Sequence, residues 1–307
     1  MTLFIKICLI FLTTASLTHG QIAVKTIKSQ GKFGFADSSG NIIVAPEFDV
    51  VGEFSEGLAA VGKREGSYTR YGFVDSLGNV IVKPQFFDTG SFSGGVARVK
   101  VDKFRLFGDD DLWGYIDRNG NFTIEPKFLN AGDFNEGLAF FIIRERTFLI
   151  RSKEKYGFIN QVGDTVITPV FDWASNFSGG LAPVKKDKKY GYINKNGDIA
   201  IDYQYQKAAC FEDNLARIML DLKYGFIDHQ GNLAIKPVFK DARDFSEGLA
   251  LVKEDKRWGY INRSGEFVIP ANFERATSFR NGRAQVMVKG EVRIIDREGK
   301  SLSANGE

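Results

Sequence analysis

The chain has 307 residues, with 41 lysines and arginines against 38 aspartates and glutamates and only 2 histidines and 2 cysteines. That near-neutral balance offers no electrostatic case for nucleic acid or an anionic membrane surface. So few histidines leave little room for histidine-based catalysis or a histidine-rich metal site, and no cofactor is expected. Glycine is frequent at 33, proline is scarce at 7 and 43% of residues are apolar, which describes a core-forming chain rich in tight turns and excludes a disordered or collagen-like one.

Residues 1–20 form a distinct segment. Lys6 precedes the wholly apolar Ile7–Leu12, apolar character continues to Leu17, and the small Thr18 and Gly20 stand just before Gln21. This predicts a secretory signal peptide, hence an exported protein that is periplasmic, cell-surface or secreted. Cleavage before Gln21 would leave 40 basic against 38 acidic residues and Cys210 as the one thiol. A single thiol forms no internal disulfide, so residues 21–307 must be held by their core. No integral membrane segment is expected beyond the signal, because Phe140–Ile150 is interrupted by Arg144, Glu145 and Arg146.

From Val24 onward one unit is written about eight times. An aromatic followed by glycine recurs at Phe33, Tyr71, Trp113, Tyr156, Tyr190, Tyr224 and Trp258, and a degraded eighth copy stands at Val292-Arg293. The last spacings settle at 34 residues. The sixth copy shows the pattern: Lys-Tyr-Gly-Phe-Ile-Asp from Lys223, a turn ending at Gly231, Ile-Lys-Pro-Val-Phe to Phe239, then Phe-Ser-Glu-Gly-Leu-Ala-Leu-Val to Val252. The Tyr-Gly-Phe-Ile and Leu-Ala-x-Val segments are rich in strand formers. Their glycine is expected to permit close backbone approach. Asp/Asn-x-x-Gly, as in Asp37 to Gly40 and Asn194 to Gly197, suits a type I turn with glycine at positive φ. A third short strand follows and is expected to stop at Pro46, Pro84, Pro126, Pro169, Pro237 or Pro270. Phe-Ser-Glu-Gly makes the next turn, with Asn214 replacing glycine in copy five.

The reading is therefore an all-β fold of tandem repeats of about 34 residues, each with about three short antiparallel strands, stacked because one unit cannot bury its apolar face. A propeller-like ring and an open β-solenoid superhelix are the two candidate assemblies. The extra length of the early copies falls in one loop type, after Leu-Ala-x-Val.

This pattern resembles the WG-repeat family, also called KWG repeats, over roughly Val24 to Lys300. The chain departs from that family in using Tyr or Phe more often than Trp, in carrying Tyr203 where copy five should have proline, and in its degraded last copy. The resemblance implies a repetitive β-rich binding or structural module, common in bacterial exported proteins, and no defined reaction.

Chemistry is sparse. Asp/Asn interchange at the recurrent turn favours a backbone role over a calcium loop. Asp109-Asp110-Asp111 reads as a solvated loop, and His229, inside the turn Asp228 to Gly231, as an exposed turn residue with no partner for a catalytic constellation. No catalytic or metal residues are assigned. Subtracting the repeat leaves surplus aromatics and arginines: Trp173, Phe87, Tyr68, Phe104, Phe107, Phe148, Arg64, Arg105, Arg144, Arg146 and Arg151. Binding surfaces use such residues, so a site is expected on the first half, copies one to four. Cys210 replaces mostly polar residues, so it is expected to be partly exposed. The leading function is a non-catalytic exported scaffold for a protein or ligand. A glycan-binding module using the surplus aromatics and a carboxylate-dependent hydrolase are the alternatives.

Overall fold

The computed structural model describes residues 24–101, 112–145 and 153–302. Among them every regular element is a strand. The chain falls into two compact units, Met1–Glu154 with Phe158–Thr165, and Lys155–Gly157 with Val166–Glu307.

Within each unit the strands form successive small sheets in chain order, the up-and-down order of a propeller blade. A sheet of the second unit is typical: Lys207–Glu212, Leu215–Leu220, Lys223–Ile227 and Leu233–Phe239, all neighbours antiparallel. The first sheet has three strands, beginning at Lys25–Ser29, and the others have four. The sequence pattern marks three strands per unit because the fourth has little apolar signal. In Lys207–Glu212 only Phe211 is fully buried, and the strand is held by its ladder. Elsewhere it shrinks to two residues, as at Asp88–Thr89 and Trp173–Ala174.

Sheet and sequence repeat are out of phase. The first two strands of a sheet are the tail of one copy, and the last two are the aromatic-Gly and Pro-x-Phe segments of the next. Each copy thus spans two sheets, which couples neighbours covalently.

The proline lies within its strand rather than ending it. Leu233–Phe239 runs through Pro237, and Ile199–Tyr205 does the same with Tyr203. Register explains the tolerance. Tyr224 faces Phe239 and Phe226 faces Ile235, so Gly225 alone opposes the three residues 236–238 of a bulged edge strand. Proline is accepted at edges and bulges because no ladder bond is lost there. The glycine is required for the same reason. A Cβ on Gly225 would come within 2.6 Å of the Ile235 carbonyl oxygen and 2.7 Å of the Pro237 nitrogen.

The turns follow from local chemistry. In the Asp37 turn, Gly40 N–H donates to the Asp37 carbonyl at 3.1 Å and Gly40 has φ of 90°. In the Ser-Glu-Gly turns both central residues take positive φ, 51° at Glu56 and 79° at Gly57, as a two-residue hairpin of type I′ requires. Asn214 holds the glycine position of copy five with φ of 68°.

The core is an aromatic series. The residue after each aromatic-Gly pair packs on the phenylalanine of Phe-Ser-x-Gly: Phe73 on Phe92, Tyr115 on Phe134, Tyr192 on Phe211, Phe226 on Phe245 and Tyr260 on Phe279, with centroids 4.7–5.2 Å apart. Where this residue is tyrosine its hydroxyl donates to a carbonyl of the following sheet, Tyr260 to Thr277 at 2.7 Å and Tyr192 to Ala209 at 2.9 Å. Burial pushes these hydroxyls well above the ordinary tyrosine range. Serine hydroxyls add a second link, Ser55 to the Phe92 carbonyl, Ser93 to Phe134, Ser178 to Phe211 and Ser246 to Phe279, at 2.5–2.8 Å.

Candidate functional site

The strands present one cross-sheet row that carries the surplus side chains. In the sheet Trp173–Tyr205, Trp173 opposes Lys185, Lys185 opposes Tyr190, and Tyr190 opposes Tyr205. Period-two alternation puts opposed residues on the same face. Trp173 and Tyr190 meet edge to face with centroids 5.4 Å apart, and the Lys185 ammonium lies 5.3 Å from the Tyr190 ring. In the following sheet the Lys207 ammonium donates to the Tyr224 hydroxyl at 2.9 Å. The Arg217 guanidinium sits 5.5 Å from the same ring and binds Asp244 through Nε at 2.8 Å and Nη2 at 3.3 Å.

These side chains enclose a cavity of about 150 Å³ lined by Trp173, Tyr190, Lys207, Ala208, Ala209, Arg217 and Tyr224. Three aromatic walls and two cations face it, and no carboxylate does. Among the described residues Lys185 and Lys207 have no acidic partner within salt-bridge distance. A second, broader hollow is lined by Asp213, Glu247, Gly248, Asn262, Arg263, Ser264 and Arg297. Its charges already serve the fold: Asp213 accepts from Gly248 N–H and pairs with Arg263 at 3.2 Å, and Glu247 accepts from Gly282 N–H.

The other surplus residues separate into groups. Tyr68 and Phe87 lie together in the first unit, centroids 6.0 Å apart, with the Arg70 guanidinium 3.5 Å from the Phe87 ring. Tyr68 is 61% exposed and Phe87 half-buried. The nine residues after Leu-Ala-Ala-Val of copy one form no loose loop. They extend a hairpin, Leu58–Glu65 with Tyr68–Asp75, in which Arg64 opposes Thr69 and Glu65 opposes Tyr68. Arg64 is exposed, and Arg144 lies near the end of strand Ala139–Glu145. Phe104, Phe107, Arg105, Arg146, Phe148, Arg151 and the acidic run Asp109–Asp111 lie outside the described residues.

His229 is not an exposed turn residue. It is half-buried and stacks on Phe211, centroids 4.0 Å apart and planes 17° apart. The turn bends its side chain onto Phe211 in the first strand of its own sheet, which no sequence spacing reveals. Cys210 is half-buried, its Sγ 3.5 Å from the Ser175 hydroxyl, and burial pushes its thiol up. Among the described residues no group of three or more His, Cys, Asp or Glu side chains is placed to hold a metal ion. No helix of the described residues is long and apolar enough to cross a membrane.

Lys207, Lys185, Tyr190 and Arg217 were not singled out from the sequence. A signal existed: Lys207 stands where copies two and six have Asp88 and Asp241, a charge reversal that comparison of the copies exposes.

The fold and the recurrent cross-sheet row define a β-repeat protein built of blade-like sheets. The model for the WG containing repeat matches seven times, over 33–65, 71–103, 113–145, 156–190, 190–223, 224–258 and 258–291, and the chain belongs to that family. Among curated proteins no sequence match is found. Similar solved structures include prolyl oligopeptidase B from Galerina marginata, at 13% identity over 81% of this chain and 48% of that one, TM-score 0.46. The β-propeller domain of the Trilobed protease from Pyrococcus furiosus matches at 11% identity over 90% of this chain and 95% of that one, TM-score 0.43. PorZ from Porphyromonas gingivalis, a surface component of the type-IX secretion system, matches at 11% identity over 92% and 44%, TM-score 0.31. The chain spans 34% of tricorn protease and 48% of prolyl oligopeptidase B.

Proposed function

We propose that this chain is a non-catalytic exported repeat scaffold whose ligand site is the cavity beside Trp173. The observation that carries the reading is the convergence of Trp173, Tyr190, Tyr224, Lys207 and Arg217 around about 150 Å³. Aromatic walls with a few placed polar groups are the usual make-up of a small-ligand site. The residues of the repeat that hold the fold together are spent on their neighbours, whereas Trp173 and Lys207 are particular to this place in the chain. Residues 1–20, with their apolar run, support export.

Two features favour binding over hydrolysis. A carboxylate-dependent hydrolase needs two acidic groups facing one cavity. Here Asp244 is held by Arg217, and no carboxylate lines the space. The test is an array of immobilised glycans and peptides probed with the full chain and with Trp173→Ala. Binding by the native chain and its loss in the variant is the expected result. Identical profiles for the two proteins would place the site elsewhere.

A further inference from the structure

We infer that the cavity beside Trp173 takes an acidic saccharide, a sugar ring bearing a carboxylate, and that a chain of such units continues along the following sheet. The inference rests on the binding reading above and adds the chemistry of the ligand.

Charge is the first ground. Lys207 lies at the cavity with its ammonium on the Tyr224 hydroxyl, and Lys185 stands opposite Trp173 and Tyr190 in the neighbouring sheet. Arg217 keeps two of its nitrogens on Asp244, which fixes its plane against Tyr224. Asp244 compensates Arg217, so Lys207, with Lys185 nearby, leaves the site net positive and complementary to an anion, and a positioned ligand carboxylate would form charge-assisted hydrogen bonds there.

Shape and lining are the second. About 150 Å³ is suited to one small ring rather than an extended segment. The walls offer aromatic surface for the C–H face of a sugar and phenol hydroxyls for its own hydroxyls. The half-exposed Trp173, braced edge-on by Tyr190, is a rigid platform of low conformational entropy.

Repetition is the third. One sheet further on, Lys253 and Arg243 flank Trp258 at 5.5 and 5.7 Å, with Lys253 opposite Trp258 in the ladder. The spacing from Tyr224 to Trp258 is one period of 34 residues. A polymer with a carboxylate on each ring would therefore meet a cation–aromatic pair in successive sheets. Lys185 and Lys253 stand opposite Tyr190 and Trp258 in their ladders, whereas Lys207 reaches Tyr224 from the first strand of its sheet, and beside Trp258 Arg243 pairs with Asp241.

The experiment is titration calorimetry of the full chain with oligogalacturonate, a neutral glucose oligomer of equal length and an oligoglutamate of equal charge. Oligogalacturonate should bind at least tenfold more tightly than either control. Lys207→Gln and Trp173→Ala should each weaken it at least tenfold, with an unchanged melting temperature for Lys207→Gln, whose side chain is exposed. Equal affinity for the neutral oligomer would overturn the acidic assignment while leaving a saccharide-binding cavity. Equal or tighter binding of oligoglutamate would replace the saccharide by an acidic peptide. If nothing binds in a Trp173-dependent way on the calorimeter or the array, both readings fall.

Discussion

Two places in the chain share one scaffold and differ in a few side chains. Around the second and third sheets stand Val50, Tyr71, Asp88, Arg98 and Trp113. Around the fifth and sixth stand Trp173, Tyr190, Lys207, Arg217 and Tyr224 at the same repeat positions. The arginine lies over the aromatic and pairs with an aspartate in both. Arg98 lies 4.6 Å from Trp113 and binds Asp133 at 2.8 Å, as Arg217 lies near Tyr224 and binds Asp244. The arginine–aspartate pair therefore belongs to the scaffold. Trp173 for Val50 and Lys207 for Asp88 are what distinguish the cavity. Lys185 adds a third difference, because its counterpart Gly62 has no room: a Cβ there would sit 2.8 Å from Thr69 and 3.2 Å from the Tyr71 ring. The lesson is that the repeat supplies geometry and departures from it supply chemistry.

The largest expected effect breaks the shared part. Gly225→Ala forces a methyl group against the Pro237 backbone, and Gly114→Ala does the same against Pro126 in the other unit. Each should cost about 3 kcal/mol, the upper range for overpacking, and denaturant unfolding should show similar losses in both units. Equal stability of the alanine variants would mean that the bulged strand can retreat.

Next, the double change Trp173→Val with Lys207→Asp converts the cavity into its counterpart around Val50 and Asp88. It should remove ligand binding by more than tenfold while the melting temperature shifts by only a few degrees, read by calorimetry and by thermal scan. Retained affinity would show that the two differences are not the source of the chemistry.

A smaller effect belongs to the serine links. Ser246→Ala deletes the hydroxyl that bonds the Phe279 carbonyl at 2.8 Å, and Ser55→Ala deletes the bond to Phe92. About 1 kcal/mol is expected for each, measured by urea unfolding.

The smallest concerns the turns. Four Asp turns couple the carboxylate to the side-chain amide four residues on, as Asp37 with Asn41 and Asp228 with Asn232, the Asp296 turn has Lys300 there instead, and the Asn turns reverse the pair, as Asn194 with Asp198 and Asn262 with Glu266. One carboxylate per turn is kept. Hydrogen bonds from Asn41 hold the Asp37 carboxyl below the usual range, and Asp75, Asp117 and Asp228 move the same way. A depressed folded-state pKa means that this stabilisation is present above the ordinary aspartate value and is lost as pH falls through the folded one. The charge-swapped double variant Asp37→Asn with Asn41→Asp should match the native chain in stability, whereas Asn41→Asp alone should destabilise mildly near neutral pH and recover on acidification. A pH series of melting curves separates the two.

Much of the fold was legible in the sequence because its copies act as mutual controls. The invariant Gly after each aromatic marked a close backbone approach, and the turn glycines marked positive φ. Proline misled because a bulge cancels its cost, and Lys207–Glu212 escaped because backbone pairing rather than apolar pattern makes it a strand. Of the site, Trp173 stood out as a departure from the repeat. Lys207 did not, although its charge reversal against Asp88 and Asp241 is readable, because only the folded neighbours give a surface lysine a role.

By itself, then, the sequence determined the all-β repeat, its period, its turns and its glycines, since these depend on steric rules acting within a few residues. Tertiary structure alone decided that each copy is shared between two sheets, that His229 stacks on Phe211, and that Trp173 and Tyr224, far apart in the chain, face one cavity. Those outcomes depend on which strands become neighbours, and local chemistry does not encode distance across a sheet.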